Sequence, residues 1–394
     1  MSATRRSSAA RLAALGAVAL TGCGTAPPYA VTTCQAITVA PDRTDVLFVV
    51  DDSGSMYDKQ ENLAANFGAF IDRLAASPAP NAFQIGVTTT SVDRYGSGQF
   101  PDTFAATGAC PSPPSLGQPY PRGALVSVSG PDVDVERVQS TTAPPRVLSA
   151  ASPTLVADFT SNVAVGVCGS GREQGLAGAR LALSEPNLSG PNAGFLRSGA
   201  RLAVVIISDD DDCSDPDHTG TSEEPPDCTH YPVQGYVNFF QQPIGGETKD
   251  LYVAVIGAVD PVTLAPSACV EPSGAQAEHA AYRYKAFVDA FGSRGLIDSV
   301  CNQTFANSFG AIASLISQEV ALSVAPADPR LLAVSVIHPD GTQQACTVAE
   351  EGTSQAADVT YVPPSGTRPP SLQFGGACSL EAGDQVDVQL LCVG

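Results

Sequence analysis

Asp51, Ser53 and Ser55 crowd together in "VLFVVDDSGSM" (46–56), directly behind a run of apolar residues. Carboxylate and hydroxyl oxygens at this spacing are donors that a small, hard cation selects, and Gly54 lets the chain turn tightly around it. A second apolar run, Leu202 to Ile207, leads into "SDDDDCSD", so Asp209 also stands just past a strand end. Two carboxylates aimed at one crevice repel unless one is protonated or a cation lies between them. The residue types therefore predict a divalent-ion site. Mg²⁺ or Mn²⁺ suits it, Ca²⁺ is compatible, and water fills the remaining positions.

The elements that must position these residues are legible from hydrophobic period. Val46 to Val50 is apolar without alternation, which predicts a strand buried on both faces. Leu202 to Ile207 and Leu251 to Ile256 read the same way, and Phe83 to Thr89 reads as a further strand. Leu63, Phe67, Phe70, Ile71 and Leu74 recur at helical spacing. Further helices are expected over 173–183 and 233–240, along Tyr284, Phe287, Val288 and Phe291, and along Phe305, Phe309, Ile312, Leu315 and Ile316. Apolar strands alternating with amphipathic helices predict an α/β fold with a doubly wound, mostly parallel sheet and helices on both faces. Ligand sites in such sheets gather beyond the carboxyl ends of the strands, where Asp51 and Asp209 stand. Residues 91–160, rich in Gly, Pro and Ser, interrupt the rhythm, with a short strand expected at Arg146 to Leu148. From Leu332 the pattern alternates, predicting a small antiparallel β module over 329–394, stapled by some pairing among Cys346, Cys378 and Cys392.

D-x-S-G-S behind an apolar strand resembles the first metal loop of the von Willebrand factor type A domain, with its metal-ion-dependent adhesion site. The resemblance covers about 44–322, with about 91–160 as an insertion, and implies a Rossmann-like fold. It implies that Asp51, Ser53 and Ser55 are ligands. It places Asp209 on the aspartate of a third loop that usually reads Thr-Asp-Gly, here preceded by a serine. In "VCGSGREQGLAGARLAL" it places Ser170 where the family has a threonine, with Glu173 as a competing ligand. "VGVCGSGREQGL" and "SDDDDCSD" also look like those of envelope lipoproteins of this type in some GC-rich bacteria. The implied function is capture of a protein partner whose Asp or Glu completes the metal sphere. The alternatives are a structural subunit with a self-filled metal site, or a metal-assisted hydrolase. No G-x-S-x-G, H-E-x-x-H, Walker or dinucleotide motif occurs, so an enzyme is not expected.

Composition bounds the partners. Acids outnumber bases 40 to 20, a net charge of -20, which excludes nucleic acid because nothing neutralises phosphates. Lysines are only Lys59, Lys249 and Lys285, read here as a mark of a GC-rich genome rather than of mechanism. The run Asp209 to Asp212 reads as a solvated turn in preference to a second ion site. Tyr95, Phe100, Tyr120, His230 and Tyr231 are candidates for partner contact on the strand-end face.

The first 22 residues carry Arg5, Arg6 and Arg11 and then an apolar stretch too short to span a bilayer, as a secretory signal does. Leu20-Thr21-Gly22-Cys23 resembles the bacterial lipobox, which implies a lipidated Cys23, a tether over 23–43 and anchoring of the protein to a membrane. Gly24 in place of an inner-membrane aspartate signal favours the outer membrane. The 11 cysteines become an even set once Cys23 is set aside, and none has C-x-x-C spacing, which points to disulfides in an oxidising compartment. Cys213 with Cys228 is the favoured pair, and the rest of the connectivity stays open. Replacing Cys23 with serine is expected to leave an unprocessed or soluble protein. Partition of the wild type into the aqueous phase of a detergent separation would defeat the lipid assignment.

Overall fold

In the computed structural model, the described residues are 31–35, 38–39, 43–75, 82–93, 103–104, 117–129, 134–136, 145–215, 228, 232–270, 274, 277, 279–317, 319–322, 324–338, 340–353, 356–364, 370–380 and 384–393. Two short strands come first, β1 (Val31–Gln35) and β2 (Thr38–Val39), followed by β3 (Arg43–Val50), α1 (Tyr57–Ala75) and β4 (Ala82–Thr89). The short strands β5 (Ser127–Ser129), β6 (Asp134–Glu136) and β7 (Val147–Ser149) precede α2 (Leu155–Val163) and α3 (Gly175–Ala182). Next come β8 (Arg201–Ile207), α4 (Gln234–Phe240), β9 (Leu251–Gly257), α5 (Tyr282–Asp289), β10 (Gly295–Ser299) and α6 (Ala306–Ser317). The last strands are β11 (Glu319–Leu322), β12 (Ala333–Ile337), β13 (Gln343–Cys346), β14 (Val348–Glu350), β15 (Val359–Val362), β16 (Ser371–Phe374) and β17 (Gln385–Val393).

The apolar strands form one sheet in the order β10-β9-β8-β3-β4-β7, parallel throughout except for the edge strand β7. The result is a mixed α/β fold with a largely parallel core sheet. β3 runs between β4 and β8, and Val50 pairs with both Thr89 and Ile207. The three strands thus end level, and the Asp51 N–H donates to the Ile207 carbonyl at 2.9 Å. That register brings the two acid-bearing turns together.

Continuous apolarity in β3 is explained by helices on both of its faces. Phe48 meets Phe70 of α1, Phe159 of α2 and Phe309 of α6 edge-on, with ring centroids 5.8, 5.0 and 6.3 Å away. Val49 points the other way, towards α3, where Gly178 lies against the Thr89 carbonyl so closely that a side chain there would collide with it. Neither α2 nor β10 was expected from the sequence. α2 begins inside the Gly, Pro and Ser-rich stretch, and β10 is an edge strand, "GLIDS", with only two large apolar residues.

β5 and β6 pair as a two-stranded antiparallel sheet, and the other strands make two further sheets, in the orders β1-β17-β12-β13 and β14-β15-β16-β11-β2, around a second core that includes Val336, Val359, Leu372 and Val388. Residues 31–35 and 38–39, which the sequence suggests are tether, pair here with β17 and β11. The pairing β14–β15 is parallel, and the other pairings in these two sheets are antiparallel. A Cys346–Cys378 disulfide joins β13 to the turn after β16.

Candidate functional site

The turns after β3 and β8 meet at a buried polar centre. Asp51, Asp209 and Glu173 are each 2% exposed or less. The Asp51 carboxylate accepts from the Ser53 N–H at 2.8 Å and from the Ser208 hydroxyl at 2.7 Å. Ser53 and Ser55 hydroxyls lie 3.3 Å apart, and Ser55 donates to Asp209 Oδ1 at 3.0 Å. The cation that neutralises this centre belongs to the protein. Lys59 Nζ sits 2.8 Å from Asp209 Oδ2 and donates to the Ser55 carbonyl at 2.5 Å. One helical turn separates Ser55 from Lys59, so α1 delivers the ammonium straight back onto the turn that opens it.

Ser170 takes another path. Its hydroxyl donates to the Asp93 carbonyl at 3.1 Å and accepts from the Arg172 N–H at 3.1 Å, and its own N–H donates to Ser91 Oγ. Its loop is seated on Asp52. The Gly169 N–H donates to the Asp52 carbonyl at 2.7 Å, and a Cβ on Gly169 would come within 2.2 Å of the Asp52 carboxyl carbon. Only glycine permits that approach. Glu173, not Ser170, faces the centre, and its Oε2 has no hydrogen-bond partner among the described residues.

The electrostatics follow from burial. Desolvation holds Asp51 well above the usual carboxylate range, and the neighbouring charge of Asp209 adds to it. Desolvation also raises Glu173 well above its usual value, followed by the charges of Asp51 and Asp210. One buried ammonium thus serves a group of carboxyls, two of which favour the neutral form.

The four acids of the 209–212 run are all buried, so the expectation of a solvated turn is corrected. Asp210 Oδ1 lies 2.7 Å from His279 Nδ1. Asp211 accepts from the backbone N–H groups of Arg283 and Tyr284, which caps the start of α5. Burial nevertheless pushes its carboxyl up to about 6. Asp212 accepts from the Leu176 N–H at the start of α3 and pairs with Arg283, whose Nε and Nη2 both reach Oδ2. Arg283 also donates to the Ser214 and Cys228 carbonyls. Cys213 and Cys228 are joined by a disulfide, as are Cys269 and Cys301, and Cys168 is disulfide-bonded as well.

These contacts overturn the metal reading. Among the described residues, no group of three or more His, Cys, Asp or Glu could hold a metal ion. Asp51, Ser55 and Asp209 do converge, with Ser53 beside Ser55, but their oxygens are engaged by Ser208, Lys59 and one another. Ser170 is turned onto its own loop. The adhesion site expected from the resemblance is therefore not present, and assignment to the von Willebrand factor type A family falls with it. So do Mg²⁺, Mn²⁺ and Ca²⁺ as cofactors, capture of a partner's Asp or Glu through a metal, the self-filled metal site and the metal-assisted hydrolase. Tyr120 is buried against Phe104 instead of facing a partner, whereas Tyr95, Phe100, His230, Tyr231 and Cys23 lie outside the described residues.

Sequence reasoning missed Lys59, Arg172, His279 and Arg283. Lys59 alone left a signal there, as a rare lysine one turn after Ser55. No known family model and no curated protein matches the chain. Among solved structures it is similar to proximal thread matrix protein 1 from the mussel byssus, at 12% identity over 72% of this chain and 50% of that one, with a TM-score of 0.35. It is also similar to the pilus adhesin SpaC from Lactobacillus rhamnosus GG in an open conformation (10% identity, 91% and 39% covered, TM-score 0.37). The pilus adhesin RrgA from Streptococcus pneumoniae is a third (8%, 92% and 58%, TM-score 0.31). The chain spans only 39% to 58% of the lengths of these structures.

Two outcomes test the centre. Lys59→Met strands Asp209 in the interior, so unfolding in urea should show a loss of about 3–5 kcal/mol, and stability equal to the wild type would refute the ion pair. Glu173 carries a raised folded-state pKa, so between its ordinary and its raised value the unfolded chain has released a proton that the folded chain retains. Stability must fall as pH rises through that window. Glu173→Gln, which mimics the neutral acid, should flatten that fall and melt higher than the wild type at pH 8 but not at pH 4. Parallel pH profiles for the two proteins would show that Glu173 is not the titrating group.

Proposed function

We propose that this protein is a non-enzymatic, metal-independent binding module of doubly wound topology. It is held at the outer membrane by lipid on Cys23 and meets its partner with the loops beyond the carboxyl ends of the parallel strands. The topology rests on the strand order, in which the chain builds outward from β3 through β4 and then returns to β8, β9 and β10 on the other side. The anchoring rests on the lipobox-like residues before Cys23. Among the described residues, no helix is long and apolar enough to cross a membrane.

One observation carries the binding reading. Tyr57, Val262, Val270 and Tyr282 are 64%, 89%, 66% and 59% exposed, and all four follow β3 or β9, the two strands that flank β8. Exposed aromatic and apolar side chains gathered at one end of a scaffold mark an interaction surface more often than scattered ones do. The scaffold beneath is stiff. Asp211 anchors the turn that carries Tyr282, Asp209 anchors the turn that carries Tyr57, and the Cys269–Cys301 bridge ties the β9 loop down. Little ordering entropy then opposes association.

The reading predicts where contact occurs. A photo-crosslinking amino acid placed at Tyr57 or Tyr282 in cells should give a discrete protein adduct that chelator does not remove. The same group at Val156 or Leu331, exposed elsewhere, should give none. Adducts that are equal at all four positions, or absent at the first two, overturn it.

A further inference from the structure

The exposed aromatic and apolar residues do not stand alone. Asp58 and Glu61 follow Tyr57 on the first turns of α1, and the spacing of 57, 58 and 61 puts all three on one side of the helix. Both acids are exposed, and neither forms an ion pair among the described residues. Lys59, which lies between them in sequence, is turned inward and spent on Asp209. Across β8, Arg283 is buried and spent on Asp212, and Lys285 is paired with Asp289 on its own helix. Among the described residues, Lys59, Arg283 and Lys285 are thus withdrawn from solvent or matched, and the acids beside Tyr57 have no ion-pair partner.

The turn that follows β9 at the same end of the sheet is built in advance. Asp260 accepts from the N–H groups of Val262 and Thr263, at 3.0 and 2.7 Å, and from the Thr263 hydroxyl at 2.9 Å. Leu264 adopts a left-handed backbone, φ 56°, and packs against the main core. This turn is clamped from both sides, and it holds Val262 out in solvent.

We propose that this face docks a cationic, amphipathic segment of a partner protein. Its Lys or Arg heads pair with Asp58 and Glu61 and lie over the rings of Tyr57 and Tyr282, and its apolar side chains cover Val262 and Val270. The proposal rests on the binding-face reading above and adds the partner's chemistry. Charge selects this occupant. A chain of net charge -20 repels a second copy of itself and an anionic lipid surface, and attracts a basic segment.

The test uses the full mature protein in detergent and three fluorescein-labelled peptides of twelve residues, alternating Arg/Leu, Glu/Leu and Arg/Ser. Fluorescence anisotropy should show the Arg/Leu peptide binding at least tenfold more tightly than either of the others, and weakening as salt rises. Asp58→Asn with Glu61→Gln should cost about tenfold and flatten the salt dependence. Tyr57→Ser with Tyr282→Ser should cost a similar factor at every salt concentration, and Val156→Ser nothing. If the Glu/Leu peptide binds as tightly and the tyrosine variant abolishes it, the cationic assignment is wrong and the binding face stands. If no peptide binds, or if no face variant alters binding, both are wrong.

Discussion

Everything at the carboxyl end of the parallel sheet depends on one ion pair, Lys59 with Asp209. A carboxylate at the end of a central buried strand has lost its water and needs an opposite charge held at contact distance. α1 supplies it from the turn that begins at Ser53, and the ammonium simultaneously donates to the Ser55 carbonyl at the start of that helix. The pair therefore joins β3, α1 and β8.

The acids that come after Asp209 extend the same logic through the backbone. Helix amino ends carry unpaired N–H groups and a partial positive charge, so a buried carboxylate there is matched in part by the backbone itself. Asp212 meets the start of α3 and Asp211 the start of α5, with Arg283 tying the two together. Asp211 and Asp212 thereby become a bracket linking two helices to the sheet. With those charges withdrawn, the surface above carries apolar Val262 and Val270 together with the exposed acids Asp58 and Glu61.

A second constraint ties the two regions of the chain. Residues on either side of the parallel-sheet segment share one β core, because β1 pairs with β17 and β2 pairs with β11. The region nearest the proposed anchor is therefore built from the beginning and the end of the described chain together, an arrangement that reading the alternation from Leu332 onward could only half supply.

What the sequence by itself determined is the part written in hydrophobic period. Val46 to Val50, Leu202 to Ile207 and Leu251 to Ile256 announced buried parallel strands, and the phenylalanine stripe of α1 announced its inner face, because burial on two faces or on one stripe leaves no alternative placement of apolar residues. Convergence of Asp51 and Asp209 was equally legible, since both stand past strand ends. The identity of the charge between them was not. Oxygen ligands in a row are compatible with a metal ion, a helix amino end or an ammonium, and only three-dimensional proximity chooses. Lys59, Arg283 and His279 lie far from Asp209 to Asp212 in sequence, and no local pattern reports that a parallel register sets them 2.7 to 2.8 Å from their acids. Ser170 shows the same limit from the other side. Its spacing suited a ligand, yet Gly169 lets its loop settle on Asp52, and that close approach turns the hydroxyl to Asp93. Period is a property of neighbours along the chain, whereas charge compensation is a property of neighbours in space.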